Sequence, residues 1–176
     1  MRVTESTVRK ITISGAERLD TINVFLEDFK EGQGRVVVEC FGDSWAHYWS
    51  AMGPHTMTAF FIMCEPDYLA RKLSSGISNT VFATDTSVIT AHLRKRLIER
   101  RRDGDFTKKE ARELWDDIDT DVSDDGTVES NEDLYYKVLG DDFYNDLPTE
   151  PNPKYEYLIR IIDAVKQGLK QLNPSR

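Results

Sequence analysis

Apolar residues alternate with polar ones over the first forty or so positions, then recur every three to four positions over most of the rest. That change of period divides the chain. Ile11 and Ile13, then Ile22, Val24 and Leu26, then Val36, Val38 and Cys40 all fall at period two. Such alternation sets one face of each segment on a core and the other in water, so it predicts strands. The breaks between them, Ser14-Gly15-Ala16-Glu17 and Glu31-Gly32-Gln33-Gly34, suit hairpins and are too short for parallel crossovers. An antiparallel meander of three or four strands over residues 1–44 follows.

Beyond Gly42 the spacing predicts helices. Residues 56–64 form a short apolar segment that Thr56 is placed to cap, and Asp67 is placed to cap a turn carrying Leu69 and Leu73. Asp85 precedes Val88, Ile89, Leu93 and Leu97, a helical stripe that should end near Asp103-Gly104. Thr107-Lys108-Lys109-Glu110 matches a capping box, with Leu114, Trp115 and Ile118 as the apolar face behind it. An acidic loop is expected over about 116–133, then a short helix at 131–139 with Leu134, Tyr135 and Val138. Asn152-Pro153 opens the last helix, whose stripe is Tyr155, Leu158, Ile161, Ile162, Val165, Leu169 and Leu172. Trp45, Tyr48 and Trp49 fit one helical face at their spacing, as a layer packed on the meander. The fold class expected is α+β: one domain over 1–176, with the meander in 1–44 and residues 45–176 mainly helical.

Composition changes this picture little, and charge changes it more. Hydrophobic residues make up 39% of the 176, enough for a core. No stretch approaches the roughly 18 apolar residues of a membrane helix, and Met1–Lys10 has no apolar run resembling a signal peptide. Cys40 and Cys64 lie among apolar residues and offer neither a disulfide framework nor a zinc spacing, so buried reduced thiols in a cytoplasmic setting are expected. Residues 110–150 hold 15 Asp and Glu against Arg112 and Lys137 alone, while residues 94–109 carry eight Lys and Arg. Charge asymmetry of this kind bears on partners more than on fold. The basic run (Arg94, Lys95, Arg96, Arg100, Arg101, Arg102) lacks interleaved aromatics, and the total charge is −8. Direct nucleic-acid binding is therefore not expected, and a solvated or internally paired helix is.

Two segments imitate chemistry. Phe41-Gly42-Asp43-Ser44 after a strand resembles the nucleophile block of GDSL-type esterases, a family that carries an Asp-x-x-His pair near its C-terminus. Here no Asp-x-x-His occurs, and the last histidine is His92. A serine nucleophile needs a base in reach, so Ser44 is expected to serve a turn, and His47 alone makes no triad. Asp121, Ser123, Asp125, Gly126, Thr127 and Glu132 fit a twelve-residue EF-hand loop, the alternative of a single calcium-binding module. Its flanks are wrong: Thr120, Asp117 and Asp116 stand where an entering helix needs apolar residues, and Asp133 follows Glu132. A solvated acidic turn is the expectation, with no cofactor and no metal.

Ile13-Ser-Gly-Ala-Glu-Arg-Leu-Asp, the run Gly34 to Trp49, Asp67-Tyr-Leu-Ala-Arg-Lys-Leu-Ser and Pro151-Asn-Pro-Lys-Tyr-Glu-Tyr-Leu-Ile-Arg-Ile-Ile together resemble a group of small proteins of bacteriophages and prophages of enteric bacteria. The resemblance carries no catalytic or binding residue over. It implies a small accessory phage protein in a bacterial cytoplasm. The expected function is non-enzymatic: binding and modulating a host protein, a defence or nucleic-acid-processing factor. The expected contact surface is acidic and mimics nucleic acid, through Asp116, Asp117, Asp119, Asp121, Asp124 and Asp125. Neither the partner's identity nor the oligomeric state is legible in the sequence.

Overall fold

A computed structural model describes residues 1–124, 128 and 130–173, the side chains of residues 123 and 124 excepted. Its contacts cluster into two compact units, Met1–Asn79 with Asn152–Arg176, and Thr80–Pro151.

The first unit begins with β1 (Arg9–Ile13), β2 (Ile22–Lys30), β3 (Gln33–Cys40) and β4 (Asp43–Trp49). They form one antiparallel sheet in chain order. The alternation predicted for the first three strands is borne out: Ile22, Val24, Leu26, Val36, Val38 and Cys40 are all buried. β4 corrects the sequence reading, because Trp45, Tyr48 and Trp49 lie on a strand and share no helical face. Phe41 and Gly42 both take positive φ, 49° and 85°, and Cys40 pairs with Asp43 across them. Two residues with positive φ make the hairpin turn that matches strand twist, so the chain turns straight back into the sheet. Along β4, Trp45, His47 and Trp49 then face the core side, while Ser44, Ala46 and Tyr48 face out. Core packing thus holds for Trp49, which is buried, and for Trp45, which packs against the core. Tyr48 is 48% exposed.

Three helices cover the inner face of the sheet. α1 (Met57–Met63) is capped by Thr56, whose hydroxyl accepts from the Ala59 N–H. α2 (Pro66–Leu73) starts two residues earlier than expected. Proline is preformed for the first helical position, so Glu65 is the cap residue and Asp67 sits inside the first turn. α6 (Pro153–Leu172) buries Leu158, Ile161, Ile162, Val165 and Leu169 against this core. Leu172, the end of the predicted stripe, is exposed. A Cβ at Gly168 would come within 2.7 Å of Ile13 Cδ1, so glycine lets α6 approach β1. Trp49 Nε1 donates to the Tyr68 hydroxyl at 2.9 Å, and the Trp49 ring meets Phe60 edge-on. A buried indole N–H is thereby satisfied. Cys40 is buried, while Cys64, expected to be buried, is partly exposed.

The second unit is inserted between Asn79 and Asn152. It opens and closes with a two-stranded ribbon, β5 (Thr80–Phe82) against β6 (Thr149–Pro151). Between them lie α3 (Thr86–Asp103), α4 (Lys108–Asp124), α5 (Glu132–Leu139) and a 3₁₀ turn, Phe143–Asp146. Their core gathers Ile89, Leu93, Leu97, Leu114, Ile118 and Val122 with Tyr135, Val138 and Phe143. Asp85 caps α3 as predicted, accepting from the Ser87 N–H at 2.8 Å, and Gly104 ends the helix at φ 96°. Asn152 secures the return to the first unit. Its side chain accepts from the Lys154 and Tyr155 N–H groups and donates to the Ser78 carbonyl, while its own N–H donates to the Asn79 carbonyl.

Candidate interaction surfaces

The acidic stretch expected as a loop from about 116 is helical through Asp124. Its start is the capping box predicted from sequence. The Thr107 N–H donates to Glu110 Oε2 at 2.8 Å, and the Glu110 N–H donates to the Thr107 hydroxyl at 3.3 Å. Hydrogen bonding to Thr107, its hydroxyl first and then its backbone N–H, lowers the Glu110 pKa. Ala111, Leu114, Ile118 and Val122 repeat at helical spacing and are buried. That stripe fixes the opposite face of α4 toward water, and there stand Glu113, Asp116, Asp117, Asp119 and Asp121.

These carboxylates are not equivalent. Lys109 meets Glu113 at 3.7 Å and Arg112 meets Asp116 at 3.5 Å, both pairs one helical turn apart and well exposed. Such pairs contribute about 0.3–0.5 kcal/mol each. Asp119 is ion-paired with Arg94 of α3. Asp117 and Asp121 pair with no cation among the described residues. The Asp124 side chain and Asp125 lie outside the described residues. The open acidic face is therefore narrower than six aspartates.

The basic run of α3 is divided in the same way. Arg94 pairs with Asp119 and lies over the Trp115 ring, 4.5 Å from its centroid. Arg96 bridges Glu99 and Asp146. Arg100 pairs with Asp105 at 2.7 Å and donates to the carbonyls of Lys137 and Val138 at 3.0 and 3.2 Å. Those carbonyls belong to the last turn of α5, where no further turn supplies N–H groups to donate to them. Three arginines are thus structural. Arg101 and Lys108 form no ion pair among the described residues. With Arg112 they rim a groove of about 410 Å³ between α3 and α4, floored by Leu97, Ile98, Ala111 and Trp115. The sequence reading passed over this groove. Its signal is present in the sequence, as apolar Ile98 and Trp115 stand next to cations at helical spacing, but the groove itself forms only where α3 lies beside α4.

The two chemical imitations separate from their partners. Ser44, the second residue of β4, is exposed on its outer side, while His47 is on the core side. Burial, and then the charge of Lys72, lower the His47 pKa below 6.5. A cavity of about 430 Å³ beside Ser44 is lined by Asp43, Ser74, Ser75, Asn152 and Lys154 among others, none of them a histidine. Of the calcium-loop residues, Asp121 lies in the last turn of α4 and Glu132 opens α5. The Ser123 side chain, Asp125 and Thr127 fall outside the described residues. Among the described residues no group of three or more His, Cys, Asp and Glu is placed to hold a metal ion. None of the described helices is long and apolar enough to cross a membrane.

A protein-family model described as a phage family matches residues 1–171. No curated protein and no solved structure matches the chain.

Proposed function

This chain belongs to a phage family, and we propose that it acts as a non-enzymatic accessory protein, binding and modulating a host protein in the cytoplasm of an infected enteric bacterium. The observation that carries the reading is the outward face of α4. A buried stripe locks the helix rotationally, so Asp117 and Asp121 project from one side into solvent, with Asp116 farther round beside Arg112. Asp117 and Asp121 are one turn apart, about 6 Å along the axis. A rigid row of carboxylates can occupy a site built for phosphates, as a nucleic-acid mimic does, and long-range charge steers the encounter. Asp119 contributes to the field less directly, because Arg94 already neutralises it.

The test begins with affinity purification from phage-infected cells, which supplies the partner. Asp116, Asp117, Asp119, Asp121, Asp124 and Asp125 are then changed together to Asn, and affinity is measured across salt. The expected result is weaker binding with a flatter salt dependence. An affinity and a salt slope that both stay unchanged would remove the proposal.

A further inference from the structure

We propose that the groove between α3 and α4 is a second docking site, which takes a short acidic segment of another protein carrying an apolar anchor residue. The floor is apolar: Leu97 and Ala111 are buried, Ile98 is 40% exposed, and Trp115 forms a wall. That wall is fixed in advance. The Arg94 guanidinium lies over the Trp115 ring and is itself held by Asp119. An aromatic already ordered loses little entropy when a ligand packs on it. About 410 Å³ suits one or two inserted side chains.

The rim determines what surrounds the anchor. Arg101, Lys108 and Arg112 line the groove. Arg112 has only the exposed Asp116 at 3.5 Å, and the other two have no carboxylate among the described residues. The unit that carries this rim is acidic. Residues 80–151 hold 19 of the 31 acidic side chains and ten of the 23 basic ones, a net −9. In so acidic a unit Arg94, Arg96 and Arg100 are each paired. Two open cations, Arg101 and Lys108, and a third, Arg112, held only by the exposed Asp116, surround one apolar recess and call for carboxylates, which arginine binds through paired N–H donors. A nucleic-acid backbone would also satisfy the cations. It would extend past the groove into the field of the α4 carboxylates, and it has no use for an aliphatic floor. A short acidic peptide satisfies both rim and floor.

The test uses the full chain and a fluorescein-labelled peptide of sequence Glu-Asp-Leu-Phe-Glu-Asp, read by anisotropy and by Trp115 emission. Saturable binding is expected. It should fall by about tenfold or more, in line with the loss of charge-assisted hydrogen bonds, both in the triple variant R101Q/K108Q/R112Q and in I98D. All four sites are exposed, and circular dichroism verifies the fold of each variant. An acidic-face variant that leaves Asp116 and Asp119 in place, D117N/D121N/D124N/D125N, should bind the peptide at least as well, so the two surfaces fail separately. Four outcomes overturn the proposal: no peptide binding; equal binding of a peptide with Ser-Ser in place of Leu-Phe; binding that survives the triple substitution; or tighter binding of oligothymidylate, lost in the triple variant. Self-association abolished by the triple substitution, with no peptide bound, would assign the groove to a second copy instead.

Discussion

The two units of this chain solve the problem of burying a core with opposite surfaces. The sheet unit carries 13 basic and 12 acidic side chains, a net +1, against −9 for the inserted helical unit. The sheet unit closes its core with aromatic contacts, Trp49 against Phe60 and Tyr68, and with a long apolar stripe on α6. The helical unit closes an equally apolar core, then ties its exposed layer with ion pairs such as Arg94 to Asp119 and Arg96 to Asp146. Charge is thus an outer layer on a core of ordinary kind, free to serve recognition because the fold does not depend on most of it.

Equal dependence on cores is the first way to break that comparison. Leu158 on α6 and Ile118 on α4 are both fully buried, and Leu158→Ala and Ile118→Ala should each cost about 3 kcal/mol in urea denaturation. A loss below about 1 kcal/mol for Ile118→Ala would mean that charges, more than the core, hold the helical unit. The ion-pair layer sharpens the contrast at smaller scale. Arg94→Gln should cost less than about 1 kcal/mol at low salt, and the cost should shrink in roughly 1 M salt. A cost that persists in salt would show that Arg94 acts by packing on Trp115. The smallest effect belongs to the sheet unit. Burial and the Lys72 charge depress the His47 pKa, so the unfolded state binds more protons and stability rises with pH. The contribution is complete above 6.5 and is lost as pH falls through the lowered folded value. Denaturation from about pH 7 to about pH 5 should destabilise the native chain more than His47→Gln; equal slopes would refute it.

Much of the fold was legible because local signals agreed. Thr56, Asp85, Thr107 with Glu110, and Asn152 with Pro153 all mark helix starts in the structure. β4 was not legible because Trp45, Tyr48 and Trp49 fit both periods. The deciding residue pair, Phe41-Gly42, places a phenylalanine at positive φ, where asparagine is the usual signal. The β5–β6 ribbon is not legible in the sequence because strands of three residues, nearly all exposed, show no apolar alternation. In α4 the density of Asp from 116 onward obscured a helical stripe that Ala111, Leu114, Ile118 and Val122 spell out. Which aspartates remain open was beyond the sequence, because Arg94 and Asp119 meet only through the packing of α3 on α4.

The insertion has a consequence for synthesis. β4 ends at Trp49 and α6 begins at Pro153, so at translation rates of about 5–20 residues per second the sheet waits roughly 5 to 20 seconds for its main covering helix. Val24, Val36 and Val38 depend on α1 and α2 for shelter in that interval. Asn152 then acts as a clasp, since its hydrogen bonds to Ser78 and Asn79 bring the late segment back to the point where the early one left off. Nascent chains stalled before that residue should be the ones that a chaperone or protease recognises.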